Sequence, residues 1–291
     1  MYRTRSYNSF ILQLLMLLIF CVPNLLEAKK KSSMEVPFEM VNGMIVMKLE
    51  VNGEKGSFIL DTGADAILVD GNPAENEGNG FSTLGGTVES GITQLKKLKM
   101  GSYIKYDVAA QVINLKTLEQ NLGIDLYGII GGGYFNPYSL EIDFTNSIVT
   151  LSNRSAYKKA VKEMSAVKFE MVDGIPVVPV TIGDRTFEFA MDSGASIHFV
   201  HSALLEEIEG IKKMDSSANV LSASHLSEKI NRYEIAGFNL GEIHFEHQQC
   251  LHRNFDEVNK ELTRPIAGIL SLSSLAREKV IIDFKKKKMY F

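Results

Sequence analysis

The chain has 291 residues, of which 45% are hydrophobic and 23% are charged, and its formal net charge is −4. This length and apolar content exclude a disordered or fibrous chain and leave room for one large globular domain or two ordinary ones. The acidic balance gives no electrostatic reason to expect nucleic acid as a partner.

The first 28 residues differ in composition from the rest of the chain. Arg3 and Arg5 precede an almost wholly apolar run over residues 10–22, and Ala28 supplies a small residue just before three lysines. This order is typical of a secretory signal peptide, so we expect an exported protein, periplasmic or extracellular. A retained membrane anchor is the alternative, although the run is slightly short, because a span needs about 20 apolar residues.

The two cysteines bear on the same question of processing. Cys21 lies inside the apolar run, so a lipoprotein acylated at Cys21 is a third possibility, but Phe20 stands where such signals favour a small residue. If residues 1–28 are removed, Cys250 alone remains and no intramolecular disulfide can form. The mature fold must then take its stability from its core.

The rest of the chain contains an internal repeat. Residues 38–64 align with residues 169–195 without a gap, and ten of these 27 positions are identical. The likeness resumes where residues 127–144 face residues 267–284. Each copy covers about 115–125 residues, the size of a small domain, so two similar lobes are predicted rather than a solenoid.

We assign residues 29–153 to the first lobe, residues 154–165 to a connector and residues 166–291 to the second lobe. Each lobe is expected to be rich in β-strands, with few short helices. The expected elements, in chain order, are a strand over 45–51 with a hairpin turn at 52–53, an amphipathic connector over 155–164, a strand over 177–182 with a turn at 183–184, and short helices over 202–208 and 273–278.

Both lobes are expected to end in the same way, with a strand, a turn and a last strand. The first of these strands finishes at Asp143 in one copy and at Asp283 in the other. We interpret both aspartates as structural and the lysines at 285–288 as a solvated turn.

In each copy an apolar strand is followed directly by an acidic turn. Phe58-Ile59-Leu60 leads into Asp61-Thr62-Gly63-Ala64, and Phe189-Ala190-Met191 leads into Asp192-Ser193-Gly194-Ala195. The glycine allows a backbone conformation that a side chain would obstruct, so each carboxylate is expected at the tip of a tight turn. Two copies at the same place in a repeat are much stronger evidence than one. Turn-capping aspartates in an inactive duplicated domain are the alternative.

These two segments resemble the active-site loops of the retropepsin and pepsin group of aspartic proteases. Ile129-Ile130-Gly131 and Ile269-Leu270-Ser271 are similar to the hydrophobic-hydrophobic-Gly element of that family, and Ser271 departs from the pattern at the glycine position. The resemblance covers residues 38–291. It implies an all-β fold in which two similar β-barrel lobes are related by a pseudo-two-fold axis.

The resemblance further implies that Asp61 and Asp192 are the catalytic pair of an endopeptidase. Two carboxyl groups held about 3 Å apart cannot comfortably both be ionised, so they share a proton, as in the known aspartic proteases. One then activates a water molecule while the other polarises the scissile carbonyl. Thr62 and Ser193 would brace one loop against the other, and no cofactor or metal is needed. Alanine at positions 64 and 195 goes, in this family, with activity from mildly acidic to near-neutral pH.

Further residues complete the expected site. A substrate in this family lies extended between the lobes under a flap, for which the glycine-rich segment at 84–91, with Gly85 and Gly86, is the candidate. A plain surface loop is the alternative. Asp65 and Ser196 follow the two loops and are candidates for substrate contact, although Asp65 in an ordinary surface ion pair is an equal alternative.

A cluster of His244, His247, Cys250 and His252 has a spacing that could suggest a metal site. The first lobe has no ligand set at the corresponding positions, so we expect no metal there.

The sequence therefore predicts an exported, monomeric, two-lobed aspartic endopeptidase whose partner is a peptide or protein substrate. Membrane attachment through the N-terminus is the alternative to release. Two other functions stay open: a module that binds extended peptides without cleaving them, and an envelope scaffold that uses the barrels only for interaction. Both carboxylates and both hydroxyl residues favour the enzyme, whereas Ser271 keeps the other two open.

Overall fold

β-Strands dominate the fold. The computed structural model describes residues 33–75, 80–83, 86–136, 138–153, 157–221, 227–275 and 278–291, and Ser33–Phe291 forms one compact unit. The predicted signal peptide and Cys21 lie outside the described residues. Within the described ranges, no helix is both long and apolar enough to span a bilayer.

The strands in chain order are β1 Ser33–Val41, β2 Met44–Val51, β3 Glu54–Asp61, β4 Ile67–Asp70, β5 Phe81–Thr83, β6 Gly86–Val88, β7 Gly91–Met100, β8 Tyr103–Ile113, β9 Gly128–Gly131, β10 Ser139–Asp143, β11 Ile148–Ser152, β12 Ala166–Lys168, β13 Glu170–Val172, β14 Ile175–Ile182, β15 Arg185–Asp192, β16 His198–His201, β17 Ile211–Leu221, β18 Ser227–Leu240, β19 Ile243–Arg253, β20 Gly268–Ser271, β21 Lys279–Asp283 and β22 Lys288–Tyr290. The α-helices are α1 Lys116–Leu122, α2 Asp256–Glu261 and α3 Leu272–Leu275, and 3-10 turns cover Pro73–Glu75, Gly132–Phe135, Ala160–Glu163 and Ser202–Leu205.

Two closed six-stranded barrels contain most of these strands. The first runs in the order β2-β3-β9-β4-β8-β7 and closes through pairing of β7 with β2. The second runs in the order β14-β15-β20-β16-β19-β18 and closes through pairing of β18 with β14. The predicted fold class, all-β with two similar barrel lobes and few short helices, is confirmed.

A further antiparallel sheet joins the two barrels. Its order is β12-β22-β21-β10-β11-β1, so three adjacent strands from the second half of the chain lie beside three from the first half. At its centre β10 of the first half pairs with β21 of the second half, with Asp143 opposite Lys279. The Lys279 ammonium group bonds Glu141 at 2.6 Å and Asp143 at 3.3 Å, which adds charge pairing to the backbone ladder.

The main apolar core is continuous between the halves. One buried cluster includes Leu60 and Phe58 of the first barrel, Ile142 and Ile282 of the joining sheet, and Phe189 of the second barrel. Two smaller clusters lie on the outer faces of the barrels, and residues of or beside α1 and α2 contribute to them.

The predicted hairpin turns at 52–53 and 183–184 are confirmed. Asn52 and Gly53 have φ values of 54° and 100°, and Val51 pairs with Glu54 across the turn. Gly183 has a φ of 63°, and Ile182 pairs with Arg185. Asn and Gly adopt this left-handed region at the lowest cost, which explains why the turns were readable from sequence.

The helices were less well predicted. The segments predicted at 202–208 and 273–278 are a 3-10 turn at Ser202–Leu205 and a helix at Leu272–Leu275, and the connector contains the 3-10 turn Ala160–Glu163. Helices α1 and α2 were missed. Their sequence signal is a repeated asparagine two residues before each first turn, because Asn114 and Asn254 accept the amide hydrogens of Lys116 and Asp256.

Asp143 and Asp283 shape the terminal turns, as predicted. Asp143 accepts the Asn146 amide at 2.8 Å, and Asp283 accepts the Lys286 amide at 2.9 Å. Asp283 is only 1% exposed, and the Tyr157 hydroxyl from the connector donates a hydrogen bond to it. This bond ties the connector to the second half of the joining sheet.

Replacing Tyr157 by phenylalanine should therefore destabilise the fold. The substitution leaves a buried carboxylate oxygen of Asp283 without its donor, which costs about 1–3 kcal/mol. The free energy of unfolding in urea measures this, with Tyr106→Phe as the control, because Tyr106 is 64% exposed and its hydroxyl should contribute less than about 0.5 kcal/mol. Equal stability of the two variants would contradict the structural role of this bond.

Candidate active site

Asp61 and Asp192 each end a central barrel strand. In β3, Phe58 and Leu60 join the main core, while Ile59 packs in the smaller cluster on the opposite face. The strand is thus buried on both sides, and its apolar residues fix where Asp61 emerges. The second barrel repeats this in β15, where Phe189 and Met191 join the main core, Ala190 packs in the outer cluster and Asp192 comes last.

A parallel strand supports each aspartate from the side. Asp61 lies opposite Gly131 in the pairing of β3 with β9, and Asp192 lies opposite Ser271 in the pairing of β15 with β20. The hydrophobic-hydrophobic-Gly/Ser segments therefore lie directly beside the two acidic turns.

The two carboxyl groups meet between the lobes and share a hydrogen bond. Gly63 and Gly194 make this approach possible. A Cβ atom on Gly63 would lie 2.9 Å from Asp192 Cγ, and one on Gly194 would lie 2.7 Å from Asp61 Cγ. Neither glycine has positive φ, so the side chain that each position excludes is obstructed by the opposite lobe and not by backbone strain. Each glycine instead leaves room for the aspartate of the other lobe.

Backbone amides bind the same oxygen atom of each carboxyl group. Gly63 and Ala64 donate to Asp61 Oδ1 at 2.9 and 3.0 Å. Gly194 donates to Asp192 Oδ1 at 2.6 Å. These bonds hold each carboxyl group in a fixed orientation and favour its ionised form.

The pKa of both aspartates is raised, and that of Asp192 is raised further. Burial between the lobes is the largest cause for each. For Asp61, the hydrogen bonds from Asp192, Gly63 and Ala64 act in the opposite direction and lower the pKa. For Asp192, the negative charge of Asp61 and the hydrogen bond to it raise the pKa still more. The pair therefore holds one proton over a range that extends above the ordinary carboxyl pKa.

Thr62 and Ser193 brace the two loops against each other. The Thr62 amide donates to Ser193 Oγ at 2.9 Å, and the Ser193 amide donates to Thr62 Oγ1 at 3.0 Å. Each hydroxyl then donates across the interface, Ser193 to the Leu60 carbonyl at 2.9 Å and Thr62 to the Met191 carbonyl at 3.3 Å. Both side chains are buried, at 1% and 0% exposure. The structure thus brings all eight loop residues of the two predicted motifs into one constellation.

Ser271 fits the second lobe without disrupting its loop. A Cβ atom on Gly131, its counterpart, would lie 2.3 Å from the Ala66 carbonyl oxygen. In the second lobe the Ser271 hydroxyl instead donates to the Ala195 carbonyl at 2.7 Å and accepts the Ser274 amide at 3.1 Å. The departure from the family pattern is therefore compensated by two hydrogen bonds.

Asp65 and Ser196 lie where the lobes touch. A Cβ atom on Gly174 of the second lobe would be 3.2 Å from Asp65 Cγ, and one on Gly43 of the first would be 2.8 Å from Ser196 Cβ. Each of these residues thus faces a turn of the opposite lobe, in a reciprocal arrangement.

The flap candidate is a β-hairpin in the described part of the chain. Strands β5 and β6 pair, with Thr83 opposite Gly86, while Gly85 lies outside the described residues. The second lobe has a longer hairpin at the corresponding place, formed by β17 and β18, in which Leu221 pairs with Ser227.

The histidine and cysteine cluster on β19 is dispersed among separate partners. His244 bonds Asn239, His247 bonds Glu234 and His252 bonds Ser202, while Cys250 is buried. Among the residues that the structure describes, no group of three or more His, Cys, Asp or Glu side chains is arranged to hold a metal ion.

Comparison with known proteins bears on the second lobe. Residues 178–273 match a family model described as aspartyl protease. The match supports membership of the aspartyl protease family. It includes Asp192, Ser193 and Ser271, and the first lobe is related to the matched segment through the internal repeat. No curated protein matches the chain. The similarity of this segment to aspartyl proteases suggests a hydrolase with protease activity.

Removing the Thr62 hydroxyl should weaken the fold at this interface. In Thr62→Val the buried Ser193 amide loses its acceptor, which should lower the free energy of unfolding by about 1–3 kcal/mol. Thr62→Ser is the matched control, because serine occupies the equivalent position in the second lobe and keeps the hydroxyl. Urea unfolding compares the two, and a Thr62→Val protein at least as stable as Thr62→Ser would contradict the role of the hydroxyl, because valine keeps the methyl group.

The raised pKa of Asp192 should also appear in the pH dependence of stability. The folded state binds more protons than the unfolded state between the ordinary carboxyl pKa and the raised one, so the free energy of unfolding should fall as pH rises through that window. Asp192→Asn cannot ionise and should lack this fall. Relative to the wild type, the variant should therefore gain at least about 1 kcal/mol between pH 4 and pH 7 in urea titrations. Parallel pH profiles would contradict the raised pKa.

Proposed function

We propose that the protein is an aspartic endopeptidase in which Asp61 and Asp192 activate water for peptide hydrolysis. The observation that carries the proposal is the hydrogen-bonded carboxyl pair, with one member from each repeat and each enclosed by a glycine of the opposite lobe. A turn-capping role would not require the two carboxyl groups to meet, since each could cap its own turn alone.

The environments of the two aspartates assign their starting states. Asp61 accepts two amide hydrogen bonds and one from Asp192, so it is the ionised member. Asp192 carries the proton, because burial and the charge of Asp61 both favour its neutral form. General acid–base catalysis needs one group that acts as a base and one that acts as an acid. Two carboxyl groups whose pKa values differ meet this need.

The reaction follows from these states. Asp61 takes a proton from a water molecule, whose oxygen attacks the scissile carbonyl carbon, while Asp192 donates its proton to the carbonyl oxygen. The resulting tetrahedral diol collapses when one hydroxyl returns its proton to Asp192 and the amide nitrogen receives the proton held by Asp61. The C–N bond breaks, an acid and an amine leave, and Asp192 again holds the single proton. The fixed hydrogen bonds to both carboxyl groups keep this geometry in place through the cycle.

The substrate is proposed to be an extended peptide between the lobes. Asp65 and Ser196 each follow one of the two acidic loops and lie at the reciprocal contacts between the lobes. The β5–β6 and β17–β18 hairpins are proposed to cover the peptide, because hairpins can pair with an extended chain by main-chain hydrogen bonds. We further propose that the protein is exported and acts as a monomer on peptides or unfolded proteins.

Cleavage of an unfolded protein tests the proposal. Purified residues 29–291 are incubated with casein from pH 3 to pH 8, beside Asp61→Asn, Asp192→Asn and the control Asp184→Asn, in which an exposed turn residue is changed. We expect fragments with the wild type and the control, and a rate at least about 100-fold lower with either active-site variant, because each change removes one general acid or base. Cleavage that survives in both would refute the assignment, and retention of casein without fragments would indicate a binding module.

The same assay fixes the pH range. Activity should extend from mildly acidic to near-neutral pH, because the pKa of Asp192 lies well above the ordinary carboxyl value and the shared proton is kept into this range. Activity should fall once the pH exceeds the raised pKa and both groups ionise. A rate maximum confined to strong acid would contradict this.

A further inference from the structure

The second lobe places three polar side chains where the first lobe has apolar residues. These side chains are His198 on β16, Gln248 on β19 and Ser271 on β20, and their counterparts are Ile67 on β4, Val108 on β8 and Gly131 on β9. The strand registers agree with this correspondence, since Ile235 pairs with Gln248 as Leu95 pairs with Val108. Neither His198 nor Gln248 was predicted from sequence as a site residue, although the repeat aligns both with apolar residues of the first lobe.

These three side chains form a chain of hydrogen bonds that ends on the Asp192 loop. His198 Nε2 lies 3.3 Å from Gln248 Oε1, and His198 Nδ1 accepts the Ser271 amide at 3.0 Å. The Ser271 hydroxyl donates to the carbonyl oxygen of Ala195 at 2.7 Å. Because an amide donates to Nδ1, that nitrogen is unprotonated, so the imidazole is neutral and its Nε2–H donates to Gln248.

The second barrel does not need these three polar side chains in order to close. The first barrel has the same strand order and fills the equivalent positions with Ile67 and Val108, each 4% exposed, beside a glycine. Burying an imidazole is costly unless its nitrogen atoms are bonded, and here both are. The hydrogen bonds do reach the Asp192 loop, since Ser271 lies in register with Asp192 and its hydroxyl contacts Ala195. This connection indicates a function for the polar residues.

We propose that neutral His198 positions the Asp192 loop through Ser271, with Gln248 holding the required tautomer of the imidazole. His198 acts through Ser271 and is a positioning residue that contacts no substrate. The proposal deepens the proposed function, because the loop that it positions carries one of the two catalytic carboxyl groups.

Protonation of His198 would break this chain. Nδ1 would then carry a hydrogen atom and could no longer accept the Ser271 amide, so the support of the loop would be lost. The groups packed around the ring are Gln248 and the buried thiol of Cys250 on β19, the Phe238 ring on β18 at 5.9 Å, and Ser271 on β20. Burial lowers the pKa of His198 to about 4, and burial also raises the pKa of Cys250 to about 12, so that the thiol stays uncharged.

The first test measures kcat and KM for casein-derived peptides as a function of pH. His198→Leu removes the acceptor of the Ser271 amide and should lower kcat by about 10-fold or more with little change in KM, since even a 1 Å misplacement can cost about 100-fold. His198→Asn supplies an oxygen near the Nδ1 position that does not gain a proton, so it should rescue most of the lost kcat. It should also make the fall in activity on the acid side less steep, because the protonation of Asp61 then acts alone.

A triple variant guards against loss of folding as the explanation. His198→Ile, Gln248→Val and Ser271→Gly together install the side chains of the first lobe, so the barrel should remain folded by circular dichroism. The activity that it retains should fall in acid with the protonation of Asp61 alone, and therefore less steeply than that of the wild type. A fall of unchanged steepness in both the triple variant and His198→Asn would overturn the proposal, as would an unchanged kcat in folded His198→Leu.

The second test does not depend on peptidase activity. In a protein with both Asp61→Asn and Asp192→Asn, so that neither carboxyl group titrates beside the loops, nuclear magnetic resonance follows the His198 ring nitrogens and the amides of residues 193–195 from pH 3 to pH 7. The loop amides should shift with the same midpoint as His198, while the amides of residues 62–64, whose lobe has Ile67 instead, serve as the internal reference and should not. Loop amides that ignore the His198 titration would refute the network even if the wild type cleaves peptides. If the wild type cleaves nothing, the proposed function fails, and this test still decides whether His198 positions the loop.

Discussion

The reciprocal bonds between Thr62 and Ser193 are the interaction on which the rest of the site depends. Each hydroxyl accepts the amide of the other residue and donates to a carbonyl across the interface, so four hydrogen bonds cross between the lobes within two residues of the carboxyl pair. Both side chains are buried, so water cannot replace these bonds without cost. The burial that the brace enforces is also the largest cause of the raised pKa of both aspartates. The raised pKa values of the pair therefore depend on the hydrogen bonds by which Thr62 and Ser193 hold the lobes together.

Two glycines also determine how closely the two carboxyl groups can approach each other. Gly63 and Gly194 face the carboxyl group of the opposite lobe so closely that a single added carbon atom would displace it. The brace pulls the loops together and the glycines let them approach. Together they produce one shared proton in place of two independent acids.

The internal repeat made much of this predictable from sequence. The continuous apolar run Phe58-Ile59-Leu60 indicates a strand buried on both faces, and the same pattern before Asp192 indicates that the two acidic turns occupy equivalent places. The turns at Asn52 and Gly183 were readable because their conformation favours few residue types. Helices α1 and α2 were missed, since six or seven residues with mixed polarity carry little periodic signal and depend on packing against the barrel. The obstruction of a side chain at Gly63 was predicted, but its source in the opposite lobe was not, because Asp192 is far away in sequence.

The hydrogen bonds of His198 lie beyond sequence reasoning for a similar reason. Gln248 is 50 residues away from it and Ser271 is 73 residues away, and the pairing of β16 with both β19 and β20 brings them together. A histidine at one position of a strand does not reveal its partner. The comparison between the two halves does show that a polar residue has replaced Ile67, and this is the signal that was available.

The covalent connection of the two lobes has a consequence for what each loop can contain. In an assembly of two identical chains, every substitution is made twice, and a serine in place of Gly131 would put its Cβ 2.3 Å from the Ala66 carbonyl oxygen in this lobe. In a single polypeptide the halves are encoded separately, so one can keep the glycine while the other carries Ser271 with its hydroxyl bonded. Tethering also makes the assembly of the carboxyl pair an intramolecular event, independent of protein concentration. Duplication within one chain thus allows the two loops to differ, which is impossible in a dimer of identical chains.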